Sequence, residues 1–130
     1  MTLLVATVGA NLALEHIVNK TAPENLILKL FISNTTPSNT DTAATYTEAT
    51  FPGYTAITLT GASWGSAASR SIAYAQQTWT CTGVATDNVY GYYLVGASSG
   101  TLYWAERDPS APFALRVAGD AVKVTPTITA

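Results

Sequence analysis

Apolar and polar residues alternate in short runs along most of this chain, with turn-forming residues between the runs. One early segment departs from that pattern. Ala10, Ala13, Leu14, Ile17 and Val18 recur at helical spacing, while Asn11, Glu15 and Asn19 share the opposite face. The spacing predicts a short helix near residues 11–19, with Lys20 suited to its C-terminal end and Pro23 barring any extension.

Strands follow. Leu26, Leu28, Leu30 and Ile32 point one way, with Lys29 and Ser33 among those on the other. Residues 34–50 are rich in Thr, Asn and Ser and read as a long surface excursion of the kind that makes contacts. Tyr54 to Thr60 alternates again, with Ile57 and Leu59 inward and Thr58 and Thr60 outward. Residues 61–71 are small and Gly/Ser-rich, a flexible connection around Trp64.

Gln77 to Thr82 sets Trp79 and Cys81 against Thr78, Thr80 and Thr82. Val89 to Val95 is apolar on both faces, as a central strand covered on each side would be. Gly96 to Gly100 is a turn, and Thr101 to Arg107 its hairpin partner, with Leu102 and Trp104 inward. Residues 108–112 form a loop, and Ala121 to Thr129 closes with Val122, Val124 and Ile128 on one side. Short strands parted by Gly, Pro and Asn turns predict an all-β fold: an antiparallel β-sandwich or jelly-roll-like barrel with one short N-terminal helix. With no linker, charge run or internal repeat, residues 1–130 read as a single β-sandwich domain.

Composition changes that picture in one respect. Charged residues make up 11% of the chain, against a usual share of roughly 25%. A surface so short of charge is expected to be partly covered by neighbours. The six cations (Lys20, Lys29, Arg70, Arg107, Arg116 and Lys123) stand singly, without the clustering that nucleic-acid binding needs, so no nucleic-acid partner is expected. Met1 to Val8 is apolar but has no cation before it and breaks at Gly9, which argues against a signal peptide. No stretch approaches the ~20 apolar residues of a membrane span, so no membrane partner is expected. Sequons at Asn19 and Asn34 carry no weight on that reading.

Candidate chemistry is sparse. Cys81 stands alone between hydroxyl residues on an inward face and reads as a core thiol. Gly61-Ala62-Ser63-Trp64-Gly65 and Gly96-Ala97-Ser98-Ser99-Gly100 match the nucleophile-elbow pattern, but no helix is predicted after either and the one histidine precedes both. His16, on the helix, lacks companions for a zinc site and reads as a partly exposed surface residue. Glu48, Asp87, Glu106, Asp108 and Asp120 are the candidates for a carboxylate dyad; most sit in turns, and Glu106-Arg107 reads as a charge pair. The tyrosines and tryptophans could stack sugars or fill core and interface, and no Asp/Asn cluster accompanies them for calcium. No catalytic residue, cofactor or metal is expected, and the chain reads as a binding or structural part.

One resemblance narrows this. The order runs from a short helix into Leu26-Ile27-Leu28-Lys29-Leu30-Phe31 and Asn34-Thr35-Thr36-Pro37, then Thr47-Glu48-Ala49-Thr50-Phe51 with Gly53-Tyr54. Gln77-Thr78-Trp79-Thr80, Val89-Tyr90-Gly91-Tyr92-Tyr93, Leu102-Tyr103-Trp104-Ala105-Glu106-Arg107 and Val122-Lys123-Val124-Thr125-Pro126 follow. This pattern resembles small virion structural proteins of tailed bacteriophages, of the capsid decoration or cement type. The resemblance implies a non-enzymatic protein, made in the bacterial host cytoplasm, that binds the outer surface of an assembled shell. Its partners would be the major capsid protein and, as a homotrimer, further copies of itself. Contact residues are expected in the N-terminal segment (Thr2, Leu3, Leu4) and in the long loop (Thr36, Pro37, Asn39, Thr40, Tyr46). A tail or neck component and a carbohydrate-binding virion appendage are the alternatives.

Overall fold

The computed structural model describes residues 3–130. Its strands all pair antiparallel, and one helix is present among the described residues, in agreement with the all-β expectation. The chain opens with strand β1 (Leu3–Val5) and helix α1 (Thr7–Ile17), then β2 (Leu26–Phe31) and β3 (Ile57–Leu59). Next come β4 (Ser71–Ala73), β5 (Gln77–Thr80), β6 (Asn88–Val89) and β7 (Gly91–Gly96). It closes with β8 (Leu102–Arg107), β9 (Phe113–Ala114), β10 (Ala121–Val124) and β11 (Thr127–Thr129).

Five strands form the main sheet in the order β1-β8-β7-β2-β3, and three separate two-stranded ladders pair β10 with β5, β11 with β4, and β6 with β9. The central place of β7 follows from its sequence: every residue of Gly91–Gly96 is buried, as a strand apolar on both faces requires. Gly91 is needed there, because a Cβ would overlap the Glu106 carbonyl oxygen across the β7–β8 pair and crowd the Phe31 ring.

The main sheet is covered on both sides. One face carries Leu28, Leu30, Leu59, Tyr92, Leu94 and Trp104, which pack with Trp79 and Val122 of the β5–β10 ladder and with Cys81. The other face carries Phe31, Tyr93, Val95 and Ala105 against Ala6 and Tyr46. Phe31 is fully buried in this second cluster, and removing its ring would cost about 3–5 kcal/mol.

Three expectations are corrected. Leu102 and Trp104 do not share a face: a bulge between β7 and β8 sets Leu94 opposite Trp104 but Val95 opposite Leu102. The extra residue, Tyr103, breaks the alternation, so Leu102 joins the second cluster and Trp104 the first. The helix begins earlier than expected, at Thr7, and ends before Asn19, whose φ of 59° puts it in the left-handed conformation that stops a helix. It is also rotated about its axis. Gly9 is buried against the sheet, while Leu14, Ile17 and Val18, part of the apolar stripe that the spacing marks, are 62%, 77% and 72% exposed.

Candidate functional site

The rotation of α1 has two causes in the sequence. Gly9 lies so close to β8 that a Cβ would overlap the Leu102 carbonyl oxygen and the Tyr103 Cα. His16, about two helical turns further along the same face, is drawn in by hydrogen bonds. Its Nδ1 lies 2.9 Å from the Thr21 carbonyl oxygen and its Nε2 2.8 Å from the Tyr103 hydroxyl. His16 is partly exposed, as expected, and serves as an anchor between helix and sheet. With Gly9 and His16 against β8, Leu14 and Ile17 fall on the outside of α1.

Tyr103 continues the anchor to a neighbouring turn. Its hydroxyl lies 3.1 Å from Glu24 Oε2, and Glu24 Oε1 accepts from the Ser98 and Ser99 backbone N–H groups at 2.8 and 2.9 Å. Burial pushes the Glu24 carboxyl up, but those N–H donors together with Ser99 and Tyr103 outweigh it and hold the pKa below the ordinary value. Burial and the adjacent Glu24 raise Tyr103. The second Gly-x-Ser-x-Gly segment is thus a hairpin turn clamped by a carboxylate, and the first is a 3₁₀ turn in which the Thr60 hydroxyl donates to Ser63 Oγ.

The long loop meets the helix at its other end. Ala6, the residue before α1, offers no side-chain cap, and the Thr7 N–H instead donates to the Asn39 carbonyl oxygen at 2.8 Å. The structure so brings the two expected contact regions together around the start of α1. A groove of about 280 Å³ runs between Val8, the loop at residues 42–44 and the turn at residues 99–101.

The individual contact residues divide. Thr2 lies outside the described residues; Leu3 and Leu4 sit in β1 opposite Glu106 and Ala105. Thr36, Asn39 and Thr40 are exposed. Pro37 and Tyr46, sought at the same interface, are instead buried in the chain's own packing. The Tyr46 ring lies 4.8 Å from Phe31 and 5.1 Å from Tyr93, and its hydroxyl donates to Asp41 at 2.7 Å. Sequence reasoning missed Leu14, Ile17 and Val18 as surface residues, because their helical spacing is the ordinary signal of a buried face.

The remaining ionisable groups are mostly structural. Glu106 and Arg107 form no pair: Glu106 is 8% exposed and accepts from the Tyr92 hydroxyl at 3.0 Å. Arg107 reaches Asn34 and Thr35 and lies 4.9 Å above the Tyr90 ring. Glu48 pairs with Lys29 at 3.4 Å and accepts from Tyr54 at 2.7 Å, while Asp120 accepts from the Arg116 and Val117 N–H groups. Every tyrosine and tryptophan is at least partly buried, and Trp64 meets Tyr74 edge-on at 5.3 Å. Among the described residues no group of three or more His, Cys, Asp and Glu side chains could hold a metal ion, and no helix is long and apolar enough to cross a membrane. No protein-family model matches the chain, and no curated protein matches it.

Proposed function

We propose that this chain is a non-enzymatic virion structural protein, of the capsid decoration type, that docks on an assembled shell through the outward face of α1. The observation that carries the reading is the exposure of Leu14 and Ile17 on α1 and of Val18 just past its end, on a helix whose other face is already packed. Each large apolar side chain left in water forgoes about 1.5–3 kcal/mol that burial would return. The Glu15–Lys20 ion pair flanks the stripe, and a chain with 11% charged residues has little further charge to keep it solvated. The exposed loop residues Thr36, Asn39 and Thr40 belong to the loop that caps the start of the same helix, and they supply polar groups for the rim of the contact.

The resemblance to phage virion proteins supplies the partner, the major capsid protein, and the trimeric state. Heat survival of shells that lack the protein tests the reading. Adding the purified chain should bind it to the shell exterior and raise the temperature at which the shells rupture. Shells that neither take up the protein nor gain resistance would overturn it. Density on the tail or neck in a particle image would move the site of action there.

A further inference from the structure

We propose that His16, Tyr103 and Glu24 form a pH-operated latch. With both ring nitrogens of His16 protonated, the last turns of α1 are held to β8, and loss of one of those protons frees them. This goes beyond the docking role to its regulation. Only the consequence at the shell rests on the function proposed above, because the latch itself is read on the isolated chain.

Three short contacts run in line. His16 Nδ1 lies 2.9 Å from the Thr21 carbonyl oxygen, His16 Nε2 lies 2.8 Å from the Tyr103 hydroxyl, and that hydroxyl lies 3.1 Å from Glu24 Oε2. Each needs one proton between its two atoms. A carbonyl oxygen only accepts, so the first contact requires a proton on Nδ1. Burial raises the Glu24 carboxyl, yet the Ser98 and Ser99 N–H donors bring it below its ordinary value, so Glu24 is a carboxylate at neutral pH and brings no proton. Tyr103 brings one. A neutral imidazole with its single proton on Nδ1 therefore leaves two contacts to share the phenol proton, and one of them sets lone pair against lone pair. The Ser99 hydroxyl can donate to Glu24, but it places no proton in either contact.

The imidazolium removes the deficit. Its Nε2–H donates to the Tyr103 oxygen, and the Tyr103 O–H donates to the Glu24 carboxylate, so all three contacts are satisfied. The place of the ring favours that form as well, since His16 lies in the last turn of α1, at the carbonyl end of the helix. On α1 and the turn that ends it, Glu15 and Lys20 answer each other at 4.0 Å. Of the charged residues of β8, Glu106 accepts from Tyr92 and Arg107 lies over the Tyr90 ring. The charge that answers the imidazolium is therefore that of Glu24, one phenol away.

Leu14 and Ile17 stand exposed on the same turns and keep a fixed position only while the latch is closed. Closing takes up a proton, so the latch holds at low pH and opens as pH rises through the range in which histidine loses its charge, about pH 5–8. Docking through α1 should weaken in step.

Hydrogen exchange and ring-nitrogen NMR shifts, followed over that range on the full chain, test the latch. The chain has one histidine, so the imidazole signals belong to His16. Protection of the amides of Leu14 to Ile17, with β7 as internal reference, should fall about tenfold from the acid to the alkaline end of the range. The fall should coincide with loss of the proton on Nε2, while Nδ1 keeps its own. Glu24→Gln separates this from a merely structural contact. The side-chain amide it introduces can donate to the Tyr103 oxygen, which sends the phenol proton to Nε2 and completes the chain with a neutral ring. In that variant the protection of α1 should not change with pH. Protection that stays level in the unaltered chain, or falls as steeply in Glu24→Gln, would overturn the proposal, and so would loss of the Nδ1 proton first. Should the variant fail to fold, the pH course of the unaltered chain decides alone. Shells that take up the chain equally at both ends of the range, while α1 loosens, would overturn the link to docking and leave the latch standing.

Discussion

The imidazole Nε2 of His16 and the phenol of Tyr103 meet at 2.8 Å across 87 positions of sequence, and this contact ties the helix to the sheet. Tyr103 is also the residue that the β7–β8 bulge leaves over. The same irregularity that interrupts the strand alternation therefore accompanies the anchor that fixes which side of α1 faces water.

Tyr103→Phe removes the hydroxyl shared by His16 and Glu24. Net hydrogen bonds of this kind contribute about 0.5–1.5 kcal/mol each, so the loss should be about 1–3 kcal/mol. Urea unfolding should show the drop in midpoint. Hydrogen exchange should show faster opening of residues 7–17 than of β7.

Gly9→Ala should destabilise the chain even though alanine is the better helix former by roughly 1 kcal/mol. The added methyl overlaps the backbone of Leu102 and Tyr103, so α1 must lift off β8, at a cost of about 1–3 kcal/mol. Thermal unfolding of the two proteins side by side gives the sign directly.

Two glutamates should give opposite pH dependences. The Glu106 pKa is raised by burial, with Asp108 adding to it, so its contribution is present below the ordinary value of 4.5 and is lost as pH rises through the folded value. Glu106→Gln should therefore flatten the stability curve above pH 4.5 and hold as well as the unaltered chain at neutral pH. Glu24 behaves in reverse. Burial raises it, but the Ser98, Ser99 and Tyr103 donors bring it below 4.5, so its contribution is present above that value and is lost as pH falls through the folded one. Glu24→Gln should lower stability at neutral pH and converge with the unaltered chain in acid. Denaturant midpoints measured across this range separate the two.

Cys81 is 1% exposed and its thiol donates to the Gly83 carbonyl oxygen at 3.1 Å. A thiol reagent should leave it unmodified in the native protein, and labelling should follow global unfolding as denaturant is raised. Rapid labelling without denaturant would show that the first cluster opens locally.

Much of this architecture is legible in the chain because burial on two faces leaves a plain mark. The run from Val89 to Val95 covers β7 up to its last residue, and the alternating stretches around Leu28, Leu59, Trp79 and Val122 became β2, β3, β5 and β10. The short ladders were not legible: β4, β6 and β9 hold two or three residues each, too few to display a period. The bulge at Tyr103 was invisible for a related reason, since one inserted residue reverses a face without changing composition. Pro37 and Tyr46 misled because a Thr/Asn-rich setting signals a surface loop, although loops of that length need a few buried anchors of their own. The face of α1 was misread because helical periodicity identifies an apolar stripe and says nothing of which body covers it. Gly9 and His16, the residues that decided the rotation, look like a break and a polar interruption in the sequence alone.

The most direct test is shell binding by a chain in which Leu14, Ile17 and Val18 are all replaced by glutamine. Because these side chains are exposed and glutamine suits a helix, the variant should fold with stability within about 1 kcal/mol of the original. Co-sedimentation with shells that lack the protein should then fall by at least about tenfold, with the unaltered chain bound in parallel. A correctly folded triple variant that sediments with the shells as fully as the unaltered chain would contradict the account.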